Sequence, residues 1–143
     1  MTEKMDNTIE LALLMATKAH FGQVDKLGQP YILHIIAVIN GCETLSQKMV
    51  AALHDIVEDT PTQLSDLQEH FPNEIVEAVD AITHRESEPR EDYLRRVKAN
   101  PLALAVKKVD VAHNMGRLEK LAGTDDYQRL TAKYEQTLRI LNS

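Results

Sequence analysis

An all-α fold, built as one domain of seven to nine helices, is what this sequence predicts. Three observations carry that reading. Apolar residues recur at the three- and four-residue spacing of amphipathic helices almost throughout. Alternating β-branched strand patterns are missing. Only five glycines and five prolines punctuate the 143 residues, a length that suits one domain spanning 1–143 with its own core.

The elements follow in order. Asn7 is placed to cap a first helix, with Glu10 completing a capping-box spacing, and the helix runs to about Phe21. A loop follows from Gly22 to Gln29, and Pro30 suits the first turn of a second helix ending near Gly41. Ser46 is expected to cap a third helix from Gln47 to about Val57, which Pro61 terminates. Thr62 caps a short helix to about His70, and Pro72 opens another through Thr83. The polar stretch His84–Pro89 reads as a loop, followed by a helix to Ala99. Asn100-Pro101 is a cap followed by a first-turn proline, and the helix it opens runs from Leu102 to about Leu121, with Gly116 inside it. Gly123 ends that helix, Thr124 recaps, and a last helix reaches Leu141.

Composition excludes several roles. With 16 Lys+Arg against 22 Asp+Glu the net charge is −6, and aromatics are only 4% with no tryptophan. Nucleic-acid binders need the opposite balance. No apolar run approaches the roughly 20 residues of a membrane span. One cysteine, Cys42, rules out an intrachain disulfide and a cysteine-cluster metal site. A cytoplasmic protein without nucleic-acid or membrane partners is expected, and a homo-oligomeric state is compatible with the sequence.

The chemistry concentrates in His54-Asp55-Ile56-Val57-Glu58-Asp59-Thr60. His54 and Glu58 are four apart, and Asp55 is three from Glu58 and four from Asp59, so all four can crowd one side of a helix end. Three carboxylates in such proximity repel one another, and a divalent cation relieves them. Asp110 sits inside the apolar stretch Leu102–Leu118, with Asn114 one turn later, and His34 lies among Tyr31, Ile32, Leu33, Ile35 and Ile36. His34, His54, Asp55 and Asp110 thus offer two nitrogens and two carboxylates from three helices, a set suited to Mn, Fe, Co or Zn. Glu58 or Asp59 could take a proton from an attacking water.

The order of these motifs resembles the HD-domain metal-dependent phosphohydrolases, and within them the hydrolase domain of the RelA/SpoT family and its stand-alone small alarmone hydrolases. The matching stretches are His20-Phe21-Gly22-Gln23, Lys26-Leu27-Gly28-Gln29-Pro30-Tyr31-Ile32-Leu33-His34, the segment around His54-Asp55, and Lys107-Lys108-Val109-Asp110 with His113-Asn114-Met115, within about residues 10–120. The resemblance implies a helical HD bundle and a manganese ion held by His34, His54, Asp55 and Asp110. It implies Glu58 and Asp59 at the attacking water, and removal of the 3′-pyrophosphate from the nucleotide ppGpp or pppGpp. Lys26, Asn114 and Tyr134 are the implied substrate contacts. The sequence departs from the family pattern where Asp25 replaces an arginine, Ile35 a proline, Val111 a basic residue and Leu130 an arginine. Three of these departures lie near the nucleotide. They keep open another nucleotide phosphate, the 2′-phosphate of NADPH or a nucleoside monophosphate, and, further off, a non-catalytic nucleotide-sensing or oligomerisation module. His20 and His113 are candidates to support the metal ligands from behind.

Overall fold

The computed structural model describes residues 6–143. Its helices are α1 (Ile9–Ala19), α2 (Ile32–Gly41), α3 (Leu45–Leu53), α4 (Ile56–Asp59), α5 (Leu64–Gln68), α6 (Asn73–Ile82), α7 (Arg90–Lys98), α8 (Pro101–Gly116) and α9 (Asp125–Leu141), with a 3₁₀ turn at Leu118–Leu121. Among the described residues the only extended pairing is an isolated antiparallel bridge between Val24 and Pro30. The all-α expectation holds. No helix among the described residues is long and apolar enough to cross a membrane.

Two helices organise the bundle. Met49, Val50, Ala51, Ala52 and Leu53, the last five residues of α3, are all buried. A helix apolar on every side belongs in the middle of a domain, and α3 packs against α1, α2, α6 and α8. α8 is the second hub, against α2, α3, α6, α7 and α9. It approaches α2 closely at Gly41, where an added Cβ would lie 2.5 Å from Val109 Cγ1. α6 shows the ordinary amphipathic pattern, burying Ile75, Val76, Ala78, Val79 and Ile82.

Several caps differ from the sequence reading, each for a local reason. Asn7 does not cap α1: it adopts a left-handed φ of 56° and its N–H donates to the His70 carbonyl at 2.8 Å. Thr8 caps instead, accepting from Leu11 N at 3.1 Å. α2 starts two residues after Pro30, because the Tyr31 N–H is tied back to the Gln23 carbonyl at 2.8 Å. Thr44, not Ser46, caps α3 through a reciprocal box with Gln47. Gln63 rather than Thr62 precedes α5. α8 ends at Gly116, so Leu118–Leu121 forms a separate turn.

The largest difference falls on the His54-Asp55 segment. One helix was expected through Val57, but α3 ends at Leu53 and α4 restarts at Ile56. In a continuous helix the Ala51 carbonyl would accept from the Asp55 N–H. Here it accepts from His54 Nδ1 at 2.6 Å and from the His54 N–H at 3.4 Å. The histidine side chain consumes the acceptor that would have carried the helix on.

Candidate metal centre and phosphate cavity

Three helices converge on one buried cluster. α2 brings His34, the end of α3 brings His54, and α8 brings Asp110, all buried. Each polar side chain sits in an apolar stretch, which the surrounding core carries inward. Their ligand atoms lie within 4.8 Å of one another. His34 Nε2 is 2.8 Å from Asp110 Oδ1, and His54 Nε2 is 3.4 Å from that same oxygen. Asp55 joins from the α3–α4 junction, its Oδ2 3.1 Å from His54 Nε2. The Tyr31 hydroxyl donates to Asp55 Oδ2.

His54 tests whether these residues fit a cation. Its Nδ1 is committed to the Ala51 carbonyl, which in a neutral ring leaves a lone pair on Nε2. Nε2 is buried and has no hydrogen-bond partner, although two carboxylates stand beside it. Two carboxylates beside one imidazole nitrogen in a dry site draw positive charge to that spot, either a proton on Nε2 or a divalent cation in the proton's place. The donor set of imidazole and carboxylate suits a borderline or hard divalent metal. The residues fit such an ion.

The charges of the cluster reflect this crowding. Burial alone would lower the His54 pKa, but the Asp55 and Asp110 carboxylates hold it well above the usual histidine range. Burial would raise Asp110, but the Lys107 cation and the two imidazoles hold its carboxyl well below the usual range. Lys107 Nζ lies 3.2 Å from Asp110 Oδ2. Asp59 goes the other way: burial and the Asp55 and Glu58 carboxylates push it up to about 6.

Beside the cluster lies a cavity of about 230 Å³, lined by Tyr31, Asp55, Glu58, Asp59, His84, Arg90, Tyr93, Lys107, Asp110, Asn114, Lys133 and Tyr134. One side is acidic. Glu58 is anchored there by the His84 N–H, which donates to Oε1 at 2.7 Å. The lining also carries the cations Arg90, Lys107 and Lys133. Arg90 donates to Thr137 Oγ1 at 2.7 Å, while its Nε is buried without a partner. Lys133 is lowered by partial burial and by the neighbouring cations Arg90 and Lys107. Cations gathered in this way against their own repulsion make a ready anion site.

A second, more apolar pocket of about 310 Å³ adjoins the first, lined by Val24, Asp25, Lys26, Leu27, Leu118, Leu121 and Leu130 with Arg117. Tyr31, Asn114 and Tyr134 line both and form the partition between them. Asp25 belongs to this pocket, and its charge is met. Oδ1 accepts from Leu27 N at 2.8 Å and Gln29 N at 3.0 Å, and Oδ2 pairs with Arg117 Nη1 at 2.7 Å. Arg117 also donates to Asn114 Oδ1 at 2.6 Å. Gly28 supplies the positive φ of 80° that this tight loop requires.

The sequence-derived residues therefore gather at one place. His34, His54, Asp55 and Asp110 form the cluster; Glu58, Asp59, Asn114 and Tyr134 line the cavity; Lys26 sits at the exposed edge of the second pocket, 3.6 Å from Asp126. Leu130 is buried in that pocket's wall. Four residues were not anticipated. Tyr31 stood only inside a motif, and Arg90 is one of several charged residues on α7. Lys107 had a signal, three residues before Asp110. Lys133 had none, being one of several cations on an amphipathic helix.

No family model matches the chain. The bifunctional (p)ppGpp synthase/hydrolase SpoT of Escherichia coli K12 is 30% identical over 146 residues, covering 90% of this chain and 20% of that protein. The guanosine-3′,5′-bis(diphosphate) 3′-pyrophosphohydrolase of Haemophilus influenzae is 32% identical, covering 89% of this chain and 20% of its own length. The GTP pyrophosphokinase of Streptomyces coelicolor is 34% identical, covering 92% and 17%. The chain thus spans about a fifth of the length of these curated relatives. Among solved structures, a metazoan orthologue of SpoT, described as hydrolysing ppGpp and playing a role in starvation responses, superimposes with a TM-score of 0.80. It is 21% identical and covers 93% of this chain and 84% of that one, which speaks to the fold. Over about nine-tenths of its length the chain is a homologue of one segment of the SpoT-type (p)ppGpp hydrolases, and it shares the fold of a metazoan SpoT orthologue.

Proposed function

We propose that the chain is a divalent-metal-dependent pyrophosphohydrolase that removes the 3′-pyrophosphate of ppGpp or pppGpp. The observation that carries this reading is the unpartnered His54 Nε2, facing two carboxylates beside a cavity whose lining includes Arg90, Lys107 and Lys133. His34, His54, Asp55 and Asp110 would hold the ion, and manganese is the ion proposed. When bound, such a cation supplies Lewis acidity and activation of the nucleophile.

The chain's own residues do the rest. Asp59, with its pKa pushed up to about 6, is suited to take the attacking water's proton near neutral pH. Glu58, held by the His84 N–H, orients that water. Arg90, Lys107 and Lys133 bind the diphosphate and offset charge building on its oxygens. The nucleoside enters the second pocket, with Lys26, Asn114 and Tyr134 along its path. Attack at the phosphorus on the ribose 3′ oxygen leaves a ribose hydroxyl and free pyrophosphate.

The test is pyrophosphate release from ppGpp by purified protein with manganese. Asp55→Ala should reduce it by about 1,000-fold or more, the scale of several kcal/mol of transition-state stabilisation. No release at any metal loading overturns the reading. A second substrate class, the 2′-phosphate of NADPH or a nucleoside monophosphate, is favoured by one observation. The Asp25 carboxylate stands at the nucleoside pocket, tied to Arg117. Phosphate release from that panel, without pyrophosphate release from ppGpp, would select it.

A further inference from the structure

His113 lies one turn beyond Asp110 on α8, half-buried, and takes no part in the proposed chemistry. Its Nδ1 is 2.8 Å from Nδ1 of His34, with the two rings 5.0 Å apart. Two ring nitrogens at that distance must share one proton: one donates, the other accepts. The other nitrogen of His34, Nε2, is the atom that faces Asp110 Oδ1 at 2.8 Å.

The geometry of the neutral rings allows two arrangements. In the first, His34 carries its proton on Nε2 and donates it to Asp110, and His34 Nδ1 accepts from His113 Nδ1–H. In the second, His34 Nε2 holds a lone pair, His34 Nδ1–H donates to His113 Nδ1, and His113 carries its proton on Nε2. Only the second presents His34 to a cation, since a ring nitrogen bearing a proton cannot be a ligand. His54 needs no such choice, because the Ala51 carbonyl already fixes its tautomer.

We infer that His113 is a positioning residue for the metal site, and that it switches tautomer with His34 when a divalent cation binds. The proton count balances. His34 loses the Nε2 proton to solvent and takes the Nδ1 proton of His113, and His113 gains one from solvent on Nε2. Both rings stay neutral before and after. His113 therefore does for His34 what a backbone carbonyl does for His54, with the difference that its acceptor can also turn donor. The inference rests on the metal-site reading above.

The test reads metal binding and tautomers, not turnover. Affinity for Mn²⁺ is measured by titration of chelator-stripped protein for wild type, His113→Phe and His113→Gln. Phenylalanine keeps the ring volume and removes the acceptor, so affinity should fall by roughly 10- to 100-fold. Glutamine offers a carbonyl acceptor and should recover most of it. On wild-type protein, ¹⁵N-histidine spectra with and without Zn²⁺, a diamagnetic probe, should show His113 move from Nδ1–H to Nε2–H. The spectra decide the matter even if the phenylalanine variant does not fold. Unchanged affinity in a folded His113→Phe protein, or a His113 tautomer indifferent to Zn²⁺, overturns the inference alone. Failure of wild-type protein to bind either ion overturns the metal site with it.

Discussion

Asp59 sits beside Glu58 and one turn after Asp55, and that crowding with partial burial raises its pKa to about 6. A carboxyl whose folded pKa exceeds its unfolded value near 3.8 binds its proton more tightly when folded. Its contribution to stability is therefore present below pH 4 and is lost as pH rises through 6. In chelator-treated protein Asp59→Asn should stabilise the fold at pH 7.5 by about 1 kcal/mol after solvent screening, or roughly 3 °C in Tm. The gain should vanish by pH 4. Thermal melts at the two pH values check this, and a variant less stable than wild type at pH 7.5 contradicts it. At this scale much of the candidate site was legible in the sequence, because His34 and Asp110 are polar residues among apolar ones. Arg90 and Lys133 were not, because a cation on an amphipathic helix looks the same whether it meets solvent or a cavity. Asp25 read as a charge reversal; only the fold brings Arg117, 92 residues away, against it.

α2 and α8 meet at Gly41, with Val109 Cγ1 2.5 Å from where a Cβ would stand. Those two helices carry His34 and Asp110, whose ligand atoms are 2.8 Å apart. Gly41→Ala gains helix propensity but must push the helices apart. Overpacking of this kind costs about 1–3 kcal/mol, so the variant should be less stable than wild type and bind manganese more weakly. Urea melts and metal titration read both, and a stabilised variant with unchanged metal affinity would count against the close approach. Helix order and type were readable from apolar spacing, Asn100-Pro101 and Gly123. The break between α3 and α4 was not, because its cause is a side chain taking a backbone carbonyl and no glycine or proline marks it. Caps shifted for similar reasons: Asn7 and Ser46 had the right chemistry, but the His70 carbonyl and Gln47 drew the backbone into another register.

For the molecule as a whole, four of the carboxylates behind the net charge of −6 gather at one place. Asp55, Glu58, Asp59 and Asp110 all line the cavity, together with the cations Arg90, Lys107 and Lys133. Manganese bound to the native state alone should raise stability by about 2.7 kcal/mol at 100 times its Kd, or roughly 8 °C in Tm for a chain of this size. Scanning calorimetry with manganese and with chelator measures it. A shift that persists in His54→Ala would mean the ion binds elsewhere.

The helices that build the cluster also lie far apart in the chain. His34 and Asp110 touch although they are 76 positions apart in the chain, and α8 is the hub on which α2, α3, α6, α7 and α9 dock. On a ribosome, a growing chain acquires its first two helices and the His54-Asp55 junction long before residue 110 emerges. Until then the cluster lacks its third wall. Contacts of such separation form late, once the entropy of closing the intervening chain has been met. Partly made copies therefore hold an incomplete cluster, and the candidate site matures only as α8 seats.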